Sequence, residues 1–388
     1  MKGQNRRQSQ EVHQYSLIRT EILQDTHSFF ALKKEWTELL ADTANDQIVL
    51  TWEWMYTWWT HFCSDRKLFL VTVRAGDRLL GIAPLAARPR NLKRGELFRT
   101  LEFIASGDVG SDYLSLLLRK NHEQEALTAI TDCLLSQHLI LDLSRFEQDS
   151  LTMNAIIGKL HSQGWKSTRT TSMLSPYAEL RGLTWEEFIA SRGRSHRANV
   201  RKRLRNLHEE FNINFEQVNS DERRSKVLQQ LVAWHLLRWQ DKGGSTALHT
   251  RTLLRFHEDF SRIALKRGWL RLFILWLDST PALTMYCFNY NNRYSFYQMG
   301  FDQAFLNYSI GLVGTALAIQ SAIDEQASEY DFLHGDEPYK YLWTDQQRQL
   351  LRVDLFPPGI SGTLYKQSML ARYEIKRMLC FAQSQKAV

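Results

Sequence analysis

Between Trp269 and Trp343 the hydrophobic period of the chain changes once, and that change restricts what the chain can fold into. Leu270 to Leu277, Ala282 to Tyr290 and Arg293 to Gly300 are apolar or alternating runs. Asp278-Ser279-Thr280-Pro281 separates the first pair and Asn291-Asn292 the second, so the three read as antiparallel hairpins. Leu312, Ala316, Ile319, Ile323 and Ala327 then recur at spacings of three and four, which predicts a helix over Gly311 to Ser328. Glu329 to Leu333 is a short strand candidate, closed by Gly335 and Pro338. A strand, a helix and a second strand in this order place a helix N-terminus beside the open end of a sheet.

That helix start carries Tyr308, Ser309, Gly311 and Gly314. Free backbone N–H groups there can hold phosphate, and glycines let a ligand approach closely. A surface helix capped by Ser309 explains the same residues, and no Lys-Ser/Thr phosphate-loop signature follows.

Upstream, helices are expected over Asp25 to Ala41 and Thr51 to Phe62. Trp52, Met55, Trp59 and Phe62 of the second can share a face that covers a sheet or fills a domain junction. Lys67 to Arg74 and Arg78 to Arg88 form a hairpin, with further strands at Leu97 to Ile104 and Tyr113 to Leu118. A helix over Asn121 to Gln137, a strand over Leu139 to Leu143 and a helix over Leu151 to Gln163 complete a mixed α/β (α+β) first half. In the intervening loop, Asp108 and Asp112 can touch a polar substrate or merely bond the turn.

Thr168 to Gly182 reads as a linker. Trp185 to His208 begins the second half, and between Arg192 and His208 the residues Arg192, Arg194, Arg197, Arg201, Lys202, Arg203 and Arg205 stand without an acidic residue among them, a basic cluster on a helix. Such a cluster suits phosphate or nucleic acid, or forms a solvated face with Leu204 and Leu207 turned inward. Phe211 to Val218 is a strand; Arg223 to Arg238 and Leu248 to Arg267 are helices joined by a polar turn, Gln240 to Thr246. Past Trp343, Arg348 to Phe356 adds a strand that Pro357-Pro358-Gly359 ends, and Leu364 to Phe381 reads as a basic amphipathic helix.

With 388 residues, 44% hydrophobic and 23% charged, the chain is long enough for two cores and has a globular composition. A formal charge of +7 suits phosphate, anionic polysaccharide, nucleic acid or lipid headgroups without choosing among them. Cys63, Cys133, Cys287 and Cys380 show neither paired metal-site spacing nor a disulfide framework, so no metal is expected. The first residues lack the apolar core of a secretory signal, and Ile48 to Phe62 is too short to span a bilayer. These features predict a cytoplasmic protein without a transmembrane segment, peripheral at most to a membrane-associated assembly.

FDQAFLNYSIG (Phe301 to Gly311), followed by a helix and YDFLHGDEPYKYLW (Tyr330 to Trp343), resembles the characteristic segment of the CelD/BcsL-like branch of the GNAT acyltransferases. More distantly, it is similar to FemAB-type aminoacyl transferases. The resemblance implies tandem GNAT-like domains, the first degenerate. The expected boundaries are 1–12 as a disordered tail, 13–175 and 176–360 as the two domains, and 361–388 as a helix and tail. Acetyl-CoA or another acyl-CoA is the implied donor, held by Tyr308, Ser309, Gly311, Leu312 and Gly314. Asp336, Glu337, His235 and His334 are the implied catalytic candidates. Asp112, Tyr113, Arg238, Trp239, Tyr297, Tyr339 and Lys340 are the candidates for acceptor binding.

Two departures stand out. Ile310 replaces the family's proline, and His334 replaces its usual Arg. The implied activity is N- or O-acyl transfer to a sugar, an exopolysaccharide precursor or a related polar acceptor, alongside polysaccharide-synthesis proteins. The alternatives are FemAB-like transfer from aminoacyl transfer RNA, the only nucleic acid expected as a partner, and a non-catalytic scaffold in polysaccharide biosynthesis. Acyl transfer of this kind works by orientation, backbone oxyanion donors and a proton acceptor, so no linear triad is needed.

Overall fold

A computed structural model describes residues 18–89, 98–107, 109–240, 248–360, 362–369 and 371. Strands β1 (Ile18–Leu23), β2 (Lys67–Ala75), β3 (Arg78–Arg88) and β4 (Thr100–Phe103) pair antiparallel in sequence order. A crossover through α4 (Glu123–Gln137) returns the chain as β6 (Ile140–Glu147), parallel to β4. The short β5 (Leu117–Leu118) pairs with β3. The second half repeats the scheme. Strands β8 (Ile213–Gln217), β9 (Leu270–Leu277), β10 (Thr280–Tyr290) and β11 (Arg293–Phe301) are antiparallel, and α10 (Ile310–Asp324) leads to β12 (Glu329–Asp331), parallel to β11.

The two halves share one sheet by exchanging their last strands. Its order is β1-β2-β3-β4-β6-β13-β7-β12-β11-β10-β9-β8, where β7 is Lys166–Glu179 and β13 is Gln347–Phe356. Matching β6 with β12 and β13 with β7 makes the order read alike from either end. The first half's β7 pairs with β12, the second half's β13 pairs with β6, and β7 and β13 pair antiparallel in the middle. The duplication invisible in the residue pattern is therefore plain in the topology.

Helices α1 (Thr26–Ala31), α2 (Lys33–Ala41) and α3 (Trp52–Phe62) of the first half correspond in position to α8 (Asp221–Gln240) and α9 (Arg251–Lys266) of the second. Trp54 of α3 lies edge-on to Phe256 and Phe260 of α9, 5.0 and 4.6 Å away, so one aromatic core spans both halves on this face. On the other face of the second half, α10, α6 (Trp185–Ala190) and α7 (Arg194–Glu210) bury Ile189, Val200, Leu207, Val313 and Ile319 against the sheet. α5 (Leu151–Ser162) lies between β6 and β7 in the chain.

Three readings need correction. Thr168 to Gly182 is mostly β7 rather than a linker; its Thr-rich run suits a pleated strand, and its partners come from distant sequence. The expected helix over Asp25 to Ala41 breaks at Leu32. Strand β1 has no counterpart in the prediction. The N-terminal tail, Asp108, most of the Gln240 to Thr246 turn, Cys380 and the helix beyond 371 lie outside the described residues, while 362–369 are helical.

Candidate active site

Strands β11 and β12 pair only from Arg293 to Ser295, opposite Glu329 to Asp331, and then part. β11 continues to Phe301. The chain after β12 instead follows β7, with Phe332 N–H donating to Pro176 O and Gly335 N–H to Leu174 O. A wedge opens between them. Tyr297 is the extra residue of a bulge, because Tyr286 faces Gln298 while Cys287 faces Phe296. Beyond it β11 has lost its neighbour, and side chains substitute for it. Met299 N–H donates to Gln298 Oε1 at 2.9 Å, and the Met299 carbonyl bonds His235 of α8. A strand edge satisfied by side chains is one that an extended amide-bearing ligand can pair with instead.

The first half's equivalent wedge is filled by its own chain. β4 ends at Phe103, and the buried Ile104, Ala105, Val109, Tyr113, Leu114 and Leu116 occupy the following loop, with Leu114 N–H bonded to Arg145 O on β6. The loop also reaches the second half's wedge. Tyr297 hydroxyl donates to Val109 O and sits 2.9 Å from His257 Nε2. Burial pushes the His257 pKa down to about 3, so it is a neutral packing residue whose Nδ1 has no partner. A side chain at Gly110 would meet His334 Cε1 at 3.2 Å.

Asp112, His334 and Arg145 meet where the loop, β6 and the segment after β12 converge. The Asp112 carboxylate is fully buried and accepts from three donors. These are His334 N–H at 2.8 Å, His334 Nδ1 at 2.9 Å and Arg145 Nη1 at 3.0 Å. Burial alone would raise its pKa; its contacts with His334 and Arg145 outweigh burial and hold it below the ordinary carboxylate range. With Nδ1–H given to Asp112, His334 keeps its lone pair on Nε2, the arrangement by which a carboxylate fixes an imidazole as a base. Arg145 Nη1 also lies 3.0 Å from Nδ1 and 3.4 Å from Nε2, so the guanidinium crosses the ring edge rather than competing for the Asp112 bond.

Behind this group, Tyr113 hydroxyl donates to Ser175 Oγ at 2.8 Å, which donates to Asp331 Oδ1 at 3.2 Å. Burial pushes the Asp331 pKa up to about 6 against the pull of Arg348, whose guanidinium is bound bidentately by Glu329. Three non-glycine residues here adopt left-handed backbone: Tyr113 at φ +66°, Arg145 at +60° and Leu333 at +54°. Such strain costs on the order of 1–3 kcal/mol per residue and persists where the surroundings over-determine it.

The remaining predicted residues separate. Lys340 is buried, and its ammonium donates to the carbonyls of Leu333, His334 and Gly335 and pairs with Glu337 at 3.0 Å. It therefore orders the loop instead of reaching for substrate. Gly335 is favoured there by its φ of +125°, a backbone conformation that L side chains rarely adopt. Asp336 and Tyr339 are exposed. Burial and then Glu337 raise the Tyr339 pKa, and Arg238, stacked 4.9 Å over Phe301, opposes that rise, so these groups share the wedge mouth. Burial and then Arg238 lower the His235 pKa; bound to Met299, it supports β11 and is not placed as a base. Trp239 lies on α8, with its side chain outside the described atoms.

At the α10 start, Ser309 is left-handed (φ +55°) and makes no side-chain cap, which replaces the capped-helix alternative. Leu312 and Val313 N–H donate to Ser309 O, whereas Ile310 and Gly311 N–H have no partner among the described residues. Arg203 of α7 donates through Nη1 to Asn307 O at 3.2 Å, and its Nε is buried and unpaired beside this turn. These donors fit a diphosphate. Tyr308 hydroxyl is bound to Glu210, and Gly314 packs against the sheet, where a Cβ would meet Leu283 Cδ1 at 2.8 Å.

Residues 194–341, fewer than half of the chain, match the family model described as an acetyltransferase (GNAT) domain. The match supports an acyltransferase enzyme, and the matched segment holds both sides of the wedge. The chain is also similar in fold to FemX, at 12% identity with a TM-score of 0.61, covering 86% of this chain and 98% of that one. The C-terminal domain of a putative lysylphosphatidylglycerol synthetase from Agrobacterium fabrum aligns at 7% identity and a TM-score of 0.52, covering 89% and 96%. L-PGS from Bacillus licheniformis aligns at 11% and 0.51, covering 89% and 96%. No curated protein gave a significant match.

Sequence reasoning missed Arg145, Ser175 and Arg348, none of which stands in a local motif, whereas Arg203 belongs to the basic cluster read as suited to phosphate. Among the described residues no helix is long and apolar enough to cross a membrane.

Proposed function

We propose that the protein transfers an acyl group from a coenzyme A thioester to an amine or hydroxyl of a polar acceptor in the wedge between β11 and β12. The observation that carries this reading is the pairing of His334 Nδ1 with the buried Asp112 at 2.9 Å, which keeps the ring's lone pair on Nε2. Nε2 takes the acceptor's proton as its nitrogen or oxygen bonds to the acyl carbon. The carbon–sulfur bond breaks, and the proton held on His334 passes to the departing thiolate. The thioester supplies the acyl carbonyl and the leaving group. Ile310 N–H, Gly311 N–H and Arg203 would hold the donor's diphosphate, and the Met299 edge would pair with its amide-bearing arm.

Acetyl is the default acyl group, and the sequence resemblance to the CelD/BcsL-like branch supports a saccharide or envelope-polysaccharide precursor as acceptor. Asp336 and Tyr339, exposed beside the loop that Lys340 orders, and Arg238 are the mouth residues for it. The filled first-half wedge supports a degenerate first domain that contributes Asp112, Tyr113 and Arg145 to the second. The test is incubation of the full chain with isotopically labelled acetyl-CoA and a library of amino and hydroxyl acceptors. Label transfer that His334→Ala abolishes supports the reading; CoA retention without any transfer sinks the catalytic assignment.

A second reading, aminoacyl transfer from transfer RNA, is favoured by α7, which carries Arg194, Arg197, Arg201, Lys202 and Arg205 beside the donor turn that Arg203 touches. Native mass spectrometry with CoA and with charged transfer RNA separates the two.

A further inference from the structure

We infer that the acceptor carries an oxyanion, a carboxylate or phosphate, a few bonds from its reacting amine or hydroxyl, and that Arg145 of the first half binds it. This inference rests on the proposed transfer at His334. Arg145 is the inserted residue of a β-bulge: Ser144 faces Arg352 and Phe146 faces Leu351, with Arg145 between them unpaired. Bulges re-aim a side chain out of the sheet's alternation. Here the backbone adopts φ +60°, a conformation costly for arginine, and the side chain reaches across the seam to His334. A structural partner for Asp112 alone does not explain the rest of the guanidinium.

Only Nη1 is used, bonding Asp112 Oδ1 at 3.0 Å. Among the described residues Nε and Nη2 have no protein partner, and neither is a sealed, unpaired atom. The Arg145 side chain keeps 16% of its exposure and that of His334 31%, so both line accessible space. A guanidinium with two adjacent donors free is a bidentate oxyanion receptor.

The Asp112 charge does not cancel this receptor, because three donors already share it. Other charges near the wedge are Arg238 and the exposed Asp336 at the mouth, the Lys340–Glu337 pair, which is closed on itself, and Asp331 behind the site with the Arg348–Glu329 pair. The spacing then restricts the acceptor. His334 Nε2 lies 3.4 Å from Arg145 Nη1, so an anion held on the other edge of the guanidinium places its nearest substituents at the base. Amino acids, hydroxy acids and amino-sugar phosphates fit this description; neutral sugars do not.

The experiment follows the Arg145 Nε resonance of the full chain labelled with ¹⁵N-arginine, assigned by its loss in Arg145→Lys. CoA is kept saturating, so that the donor site is filled. Methyl phosphate and acetate are titrated in separate arms, with methanol as the neutral control. A saturable shift with methyl phosphate, acetate or both, absent with methanol and abolished in Arg145→Gln, is the expected result; the stronger arm names the anion. A response that Arg145→Gln leaves unchanged places the ion elsewhere and overturns the proposal. No response despite CoA binding overturns it while the donor reading survives; no response and no CoA binding end both. Arg145→Lys, which keeps a cation for Asp112, guards against a variant that simply unfolds.

Discussion

Asp112 and His334 lie 222 positions apart in the chain, yet the carboxylate of one binds both the ring and the backbone of the other, at 2.9 and 2.8 Å. One bond fixes the tautomer and the second fixes where the imidazole is attached. The proposed base, in one half of the sheet, is thus oriented by a residue of the other half.

His334→Ala is expected to lower kcat by about 10²–10⁴-fold while CoA affinity, measured by titration, stays unchanged. Asp112→Asn should lower kcat in the same direction, because the amide no longer fixes the tautomer. Asp112→Ala should also destabilise the fold by about 3–5 kcal/mol, since it strands Arg145 beside an empty partner site. Wild-type kcat in His334→Ala would exclude this residue as the base.

Asp331 gives a pH signature with a definite sign. Its folded pKa of about 6 lies above the ordinary 3.8, so the native state holds its proton longer than the unfolded chain. The contribution is fully present below the unfolded pKa, falls as pH rises towards 6, and is absent above it. The loss is on the order of 3 kcal/mol. Asp331→Asn still accepts from Ser175 and from Leu333 N–H through its carbonyl oxygen. The difference between variant and wild-type stability in urea titrations should therefore grow from pH 4 to about pH 6 in favour of the variant, then level. A pH-independent difference would refute the assignment.

Lys340 and Glu337 form a pair of unequal members. The lysine is buried on three carbonyls, whereas the Glu337 side chain is 55% exposed. Lys340→Met is expected to cost about 3 kcal/mol or more and to lower activity through the displaced His334 loop. Glu337→Gln should change stability by under about 1 kcal/mol. Thermal unfolding of both variants, with kcat/KM alongside, checks this; comparable losses would mean that the carboxylate, and not the carbonyl cage, holds the loop.

The glycines of α10 separate packing from binding. Gly314→Ala should cost about 1–3 kcal/mol, because its methyl meets Leu283 at 2.8 Å, and should leave CoA affinity alone. Gly311→Ala has ordinary contacts, Met299 Sδ being 3.5 Å away, and should leave stability unchanged. A weaker CoA interaction in Gly311→Ala, read by calorimetry, places the donor at the helix start.

The hairpins of β9, β10 and β11 and the helix α10 were legible because their periods are local and their turns carry Asp-Ser-Thr-Pro and Asn-Asn. His334, Asp112 and Tyr113 were marked by a loop and by family resemblance, and the structure brings the three together. Arg145 was illegible, since nothing in Leu143-Ser144-Arg145-Phe146 announces a bulge; it arises from the register against Leu351 and Arg352, some two hundred residues on. β7 escaped for a related reason. Its polar Thr/Ser run resembles a connector until β12 and β13 are laid on either side of it.

The exchanged strands carry a consequence for anyone who would divide the gene. A fragment bounded by residues 194–341 would lack both β7 and β13, leaving β12 with a bare flank. Such a piece should self-associate along that edge, because each half is missing the strand that the other lends.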